Sequence, residues 1–370
     1  MFARPTTVLI DRGALIHNFR EVLRLAGPDC PVAPVIKSDA YGHGLIGTAR
    51  ELLKAGADRL AISLTEEGLT LREEGIPVPI LVLGGCYPAQ AREIIAGKLT
   101  PMVSTLTLAK ALNEAASSSR TPLKIHLKVE TGLGRLGIPA EDIPAFLQNL
   151  KGFPFLELEG LGSSLSSVTN LELARKQLKI LEKVAAEAAQ FFGKSLICHI
   201  AHTGGLLLGL TRPGWLIRPG IMLYGYTRGL PSNGAHLKPV LTWRTEIYKV
   251  QEYPVGHPIG YGGTYQTKKG SRIALLPVGY SDGLLRSYMG KGDVLIRGRR
   301  APFVGRFSMD WTMVEVGHIP QAREGDEVIL IGKQQNEQVT ADEMAERAGT
   351  IIDEIFVSIA KRVPRIFQGS

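Results

Sequence analysis

Between residues 32 and 224 the chain alternates short apolar runs with longer segments of helical periodicity. That alternation constrains the fold more than any other feature. Strand-like runs are expected at 32–36, 59–63, 80–83, 102–104, 123–129, 155–161, 196–201 and 221–224. Apolar residues at helical spacing mark 45–55, 66–74, 90–96, 106–117, 143–150 and 171–192 between them. Strands separated in this way by helices are the signature of a parallel (β/α)8 barrel, an α/β fold. Ahead of the barrel, residues 5–10 read as a short strand. Asp11 then caps a helix through Ile16, Phe19, Val22 and Leu23.

Near residues 231–235 the texture changes, and a turn-rich segment, PSNGA, ends the alternation. Strands with Gly, Pro and Asp turns are expected beyond it, at 240–250, 272–278, 293–296, 312–316 and 327–331, with a single good helix at 341–348. A chain of 370 residues exceeds one ordinary core. The expected division is therefore a barrel over 1–235 and a β-rich domain over 236–370, with residues 1–10 a candidate addition to the second.

Composition excludes several classes. Lys and Arg outnumber Asp and Glu by 43 to 35, a net +8, but the cations are scattered and form no basic run interleaved with aromatics. This reads as solubility and attraction for a phosphorylated small molecule, with no nucleic-acid partner. Cys30, Cys86 and Cys198 stand far apart, without CxxC or clustered His. No metal site and no disulfide framework are expected, as in a reducing cytoplasm. The first residues, MFARPTTVLIDRG, carry no apolar signal core, and no apolar run is long enough for a bilayer.

Residues 31–44, PVAPVIKSDAYGHG, carry an apolar strand that delivers Lys37 to its carboxyl end, followed by a turn with Tyr41 and His43. A partly desolvated lysine there is a nucleophile toward a carbonyl. Taken alone it reads rather as a strand-end lysine reaching solvent, and only the rest of the window reverses that. Later strand ends add Lys128 and Arg135 in LKVETGLGRLGI, Thr203 in HIAHTGG, and Arg218, Gly220 and Ile221 in IRPGIMLYG. The second half holds Tyr261 in HPIGYGGTY, Tyr280 in LPVGYSDG, and Met309 and Asp310 in VGRFSMDWTMV.

These strings, in this order over nearly the whole chain, resemble the alanine racemase family of pyridoxal-phosphate-dependent amino-acid racemases. The resemblance implies Lys37 as the lysine joined to pyridoxal 5'-phosphate and as the base on the D face. It implies Tyr261 as the base on the L face, supplied across a homodimer. Tyr41, Thr203, Gly220 and Ile221 would hold the phosphate. Arg135 would contact the cofactor's phenolic oxygen and the substrate carboxylate, and Arg218 the pyridine nitrogen. Met309 would meet the carboxylate from the other subunit, with Tyr280 and Asp310 as tuning residues. Lys128 matches a lysine that is carbamylated in some members.

Three positions depart from the pattern. Ser164 stands where a histidine is usual, His202 where asparagine is usual, and Asp353 where a tyrosine narrows the pocket. The implied activity is interconversion of L- and D-alanine for peptidoglycan. The departures keep two alternatives open. One is a racemase of a larger or polar amino acid (serine, lysine or arginine); the other is a cofactor-binding homologue with little turnover.

Overall fold

The computed structural model describes residues 4–369, and the chain divides into two compact units. One comprises residues 15–40 and 45–238. Its parallel sheet runs in chain order through Leu60–Ile62, Ile80–Val82, Thr100–Val103, Leu123–Glu130, Leu156–Gly162 and Ile197–His199. Two further segments close the ring. Leu216 N–H donates to the Cys198 carbonyl at 2.8 Å, and Ala33 N–H to the Ile217 carbonyl at 2.8 Å. Ile36 N–H then reaches the Ala61 carbonyl at 2.9 Å. Residues 216–218 and 32–36 thus take the remaining places of the expected (β/α)8 barrel.

The strands are buried on both faces, which is why they read as continuous apolar runs. The helices are amphipathic by contrast. Leu171–Phe192 buries Ala174, Leu178, Leu181, Val184 and Ala188 along one stripe. Asn170 caps it, its side chain accepting from Leu173 N–H at 3.0 Å, and Gly193 ends it at φ 64°.

One strand assignment is corrected. Ile221–Tyr224 is a 3-10 helix, not a strand. The extended segment ends at Pro219, whose carbonyl still accepts from Val35 N–H at 2.8 Å but which has no N–H to give a ladder, and Gly220 turns the chain at φ −118°, ψ −92°. The four apolar residues after it are buried all round, a pattern that strand and short helix share.

The other unit comprises the chain up to Ala14, residues 41–44 and everything from Pro239. Its main sheet contains Thr7–Asp11, paired antiparallel with Leu241–Glu246 and parallel with Arg365–Gln368. The sheet continues through Glu327–Gln334, Asp293–Ile296, Arg299–Val304, Thr312–Glu315, Arg272–Leu276 and Lys249–Glu252. Asp11 caps the helix Arg12–Ala26, accepting from Ala14 N–H at 2.8 Å. Residues 1–3, also expected to lie here, fall outside the described residues.

The long strand expected at 240–250 is two strands that meet at Ile247–Tyr248. Arg299–Val304 went unread because paired arginines and Pro302 mask its period. The helix at Ala341–Ala348 is present, and a second, Ile352–Ser358, follows it. Among the described residues no helix is long and apolar enough to cross a membrane. No group of His, Cys, Asp and Glu among them is arranged to hold a metal ion.

Candidate functional site

Lys37 follows the 32–36 segment directly, at its carboxyl end, and opens a turn of unusual hand. Ser38, Asp39, Ala40 and Tyr41 all sit in the left-handed region, at φ 55°, 53°, 54° and 54°. None is glycine. Left-handed helical backbone costs roughly 1–2 kcal/mol per L-residue, so this turn stores strain that its surroundings must offset. They do so with hydrogen bonds. Ala40 N–H donates to the Ile36 carbonyl at 2.9 Å, and Asp39 accepts from Leu45 N–H at 2.7 Å. Glu67 takes Ser38 N–H on one carboxylate oxygen, and Ser63 and Leu64 N–H on the other. Glu67 gave no sequence signal, since its partner at Ser38 lies 29 residues away.

The other strand-end candidates of this unit form a cation-rich group. Lys128 is buried and donates from Nζ to Ser164 Oγ at 2.7 Å. Its amine is pushed down from 10.5 to about 7, first by burial, then by the Arg218 and Arg135 charges, against which Glu130 pulls upward. Arg218 is also buried, and its Nη2 donates to the Ser163 carbonyl at 2.6 Å. Thr203 Oγ1 accepts from Gly220 N–H and Met222 N–H, both at 3.3 Å, beside buried Ile221. Arg135 is exposed on its loop, and Glu130 pins that loop by accepting from Gly132, Leu133 and Gly134 N–H. Burial alone would raise the Glu130 carboxyl; these backbone donors outweigh it and hold the group below its usual range.

His202 caps the helix Thr203–Leu207, with Nδ1 accepting from Gly204 N–H at 3.0 Å. Burial and the charges of Arg218, Arg228 and Lys37 push its ring down to about 4. It is therefore a neutral imidazole whose Nδ1 lone pair is already engaged. Ser164, for its part, is the partner of Lys128.

Cations and N–H donors gather here, with Glu130 the carboxylate whose charge acts on Lys128. That donor set fits an anionic, phosphorylated group such as pyridoxal phosphate. Arg218 would face the ring, Thr203, Gly220 and Ile221 the phosphate, and Lys37 the carbonyl carbon.

The pH consequence for Lys128 is testable. A lysine whose folded pKa lies below its unfolded value binds its proton less readily folded than unfolded. The penalty on the native state is complete below pH 7 and fades as pH rises toward about 10.4. In cofactor-free protein, any stability that Lys128→Met gains over the wild type should shrink from pH 7 to pH 9. The expected slope is up to about 1.4 kcal/mol per pH unit. A gap that stays constant in urea titrations across that range would refute the low proton affinity.

The remaining candidates belong to the β-rich unit. Tyr41 is buried, and Arg365 Nε donates to the neighbouring Gly42 carbonyl at 2.9 Å. Asp353 is half-buried on the helix Ile352–Ser358. Tyr261, on a short 3-10 turn between glycines, is 72% exposed, and Met309 is 53% exposed. Tyr280 packs within cation–π range of Arg286, and Asp310 pairs with Arg362 at 2.5 Å.

The chain matches two family models: the alanine racemase N-terminal domain over residues 10–228, and the alanine racemase C-terminal domain over residues 240–367. It is 42% identical over 358 residues to the alanine racemase of Syntrophobacter fumaroxidans, covering 96% of this chain and 95% of that one. Identity to the alanine racemase of Halothermothrix orenii is 39%, over 99% and 97% of the two chains. Among solved structures, the Bacillus anthracis alanine racemase with bound L-Ala-P superposes with a TM-score of 0.92 at 32% identity. That match covers 100% of this chain and 96% of the other. On matches to both domain models over residues 10–228 and 240–367, and on relatives 39–42% identical over nearly the whole chain, the chain belongs to the alanine racemase family.

Proposed function

We propose that the protein is an amino-acid racemase that interconverts L-alanine and D-alanine with pyridoxal 5'-phosphate, the cofactor its family is known to use. The observation that carries this reading is Lys37, held by a strained turn at a barrel strand end in the unit that gathers Lys128, Arg218 and the Thr203–Gly220 donors. When bound, the cofactor supplies the electron sink that makes the substrate's Cα–H acidic. Lys37 takes or returns the proton on the D face, and Tyr261 does so on the L face. Two bases are needed because each reaches only one face of the planar centre. Arg135 and the Met309 N–H orient the substrate carboxylate. Arg218, always cationic, disfavours a second positive charge on the ring nitrogen and so limits side reactions. Tyr41, Thr203, Gly220 and Ile221 hold the phosphate.

The active sites are composite, with Tyr261 and Met309 acting in the partner of a homodimer. Their high exposure in the single chain supports this. Residues 1–235 are read as the cofactor-binding barrel and 236–370 as the β-rich domain, with residues 1–10 an addition to the second. The enzyme works in the cytoplasm and supplies D-alanine for peptidoglycan. Ser164, His202, Tyr280, Asp310 and Asp353 tune the site.

The test is α-proton exchange. The cofactor-loaded protein is incubated with L-alanine in deuterated water, and deuterium at Cα is followed together with D-alanine. Both should appear. Exchange with serine, lysine or arginine in preference to alanine would move the substrate assignment and implicate Asp353. Absence of exchange with all four would refute the racemase reading.

A further inference from the structure

Beneath the cation-rich group the barrel buries two imidazoles in contact. His126 Nδ1 and His199 Nε2 lie 2.9 Å apart, and His126 Nε2 lies 3.2 Å from a Glu159 carboxylate oxygen. The other Glu159 oxygen accepts from exposed Lys124 at 2.8 Å. Two glycines on the strand Leu156–Gly162 make the room. A Cβ on Gly160 would sit 2.6 Å from His126 Cε1, and one on Gly162 would sit 2.1 Å from His199 Cε1.

The protonation pattern follows from the chain of contacts. The hydrogen bond from His126 holds the Glu159 carboxyl down, to about 2, so at neutral pH it is an acceptor only. His126 must then carry its hydrogen on Nε2. Burial pushes both rings below 6.5, and Arg218 and Lys128 oppose a charge on His199. A neutral His126 therefore accepts at Nδ1, which puts the His199 hydrogen on Nε2 and leaves a lone pair on its Nδ1. That atom is buried, has no hydrogen-bond partner among the described residues, and lies against Gly162. The next residue, Ser163, provides the carbonyl that holds Arg218.

We propose that Glu159, His126 and His199 form a buried relay that fixes the His199 tautomer and keeps an acceptor lone pair on the Arg218 side of the barrel. His199 is thus a positioning residue for that guanidinium. The consequence for racemisation rests on the reading of Arg218 as the group facing the cofactor ring; the relay does not.

The test uses full-length holoprotein with 15N-labelled histidine at pH 7. Both rings should show the neutral Nε2–H pattern. In Glu159→Leu the acceptor is gone, so His199 should gain Nδ1–H population. The visible band of the bound cofactor should shift and kcat should fall about 10-fold or more, as for lost outer-shell partners, with KM for alanine nearly unchanged. Glu159→Gln should restore the tautomer: its one oxygen goes to His126, because exposed Lys124 can turn to water. Gly162→Ala, which crowds the His199 ring, should shift the cofactor band with Glu159 intact. A protonated or Nδ1–H His199 in the wild type overturns the relay, as does an unchanged His199 tautomer in Glu159→Leu. Altered tautomers with an unmoved cofactor band would instead overturn its coupling to Arg218 and leave the relay standing.

Discussion

Phenylalanine in place of Tyr261 is expected to lower racemisation by about 10²- to 10⁴-fold, the usual worth of a general acid–base group, while the cofactor remains bound. The hydroxyl is the only group lost, and the residue is highly exposed in the single chain, so the fold has little to lose. The remaining base should still act on its own face. D-alanine should continue to exchange its α-proton for deuterium through Lys37, yet little L-alanine should form. Alanine at Lys37 should do more, because in the proposed mechanism that residue is both the covalent anchor and the D-face base. The lysine-bound cofactor absorbance and all turnover should vanish together. Normal racemisation by Tyr261→Phe would refute the two-base assignment, whatever the outcome at Lys37.

The second large effect concerns stability. Asp282 is fully buried and pairs with Arg4 at 2.6 Å and Arg362 at 2.8 Å, and it accepts from Gly279 N–H at 2.9 Å. Burial alone would raise its carboxyl; the two arginines and the backbone donor outweigh it and hold the group below its usual range. Asp282→Ala removes the acceptor shared by Gly279 N–H and two guanidinium groups that are themselves 34% and 42% exposed and can turn to water, so the cost is about 1–3 kcal/mol, that of lost hydrogen bonds to a charged group. At about 2–4 °C per kcal/mol for a domain-sized unit, the melting temperature should drop by about 5 °C. Arg362→Ala should cost far less, because Arg362 is partly exposed and Arg4 remains. The Asp282 contribution is present above the unfolded carboxyl value of about 3.9 and is lost as pH falls through the lower folded one. A melting temperature unchanged in Asp282→Ala would show that the arrangement adds nothing to stability.

How much was legible in advance can be judged from particular residues. The alternation of apolar runs and amphipathic segments specified a barrel because burial on both faces and burial along one stripe leave different periods in the chain. Lys37, Arg135, Thr203, Arg218 and Tyr261 stood out because each follows an apolar run or interrupts glycines, a purely local pattern. The Asp11 cap was equally local. The 216–218 strand was placed a few residues late because an apolar run buried on all sides has no period to read.

What the tertiary structure alone decided involves partners distant in the chain. The left-handed turn after Lys37 depends on Glu67, which no rule of local propensity links to Ser38. Ser164 looked like a missing histidine and is instead the partner of Lys128, 36 residues away. His202 stood where an asparagine is usual and is a neutral helix cap. The pairing of His126 with His199 needs two glycines on a third strand to admit the rings. Proton affinity and tautomer depend on burial and on charges brought close by folding, and neither is a property of residues taken one at a time. The order of residues therefore fixed which groups the protein has and, for Lys37 and Lys128, at which strand ends they lie. Only the folded chain decided their charge states and their partners.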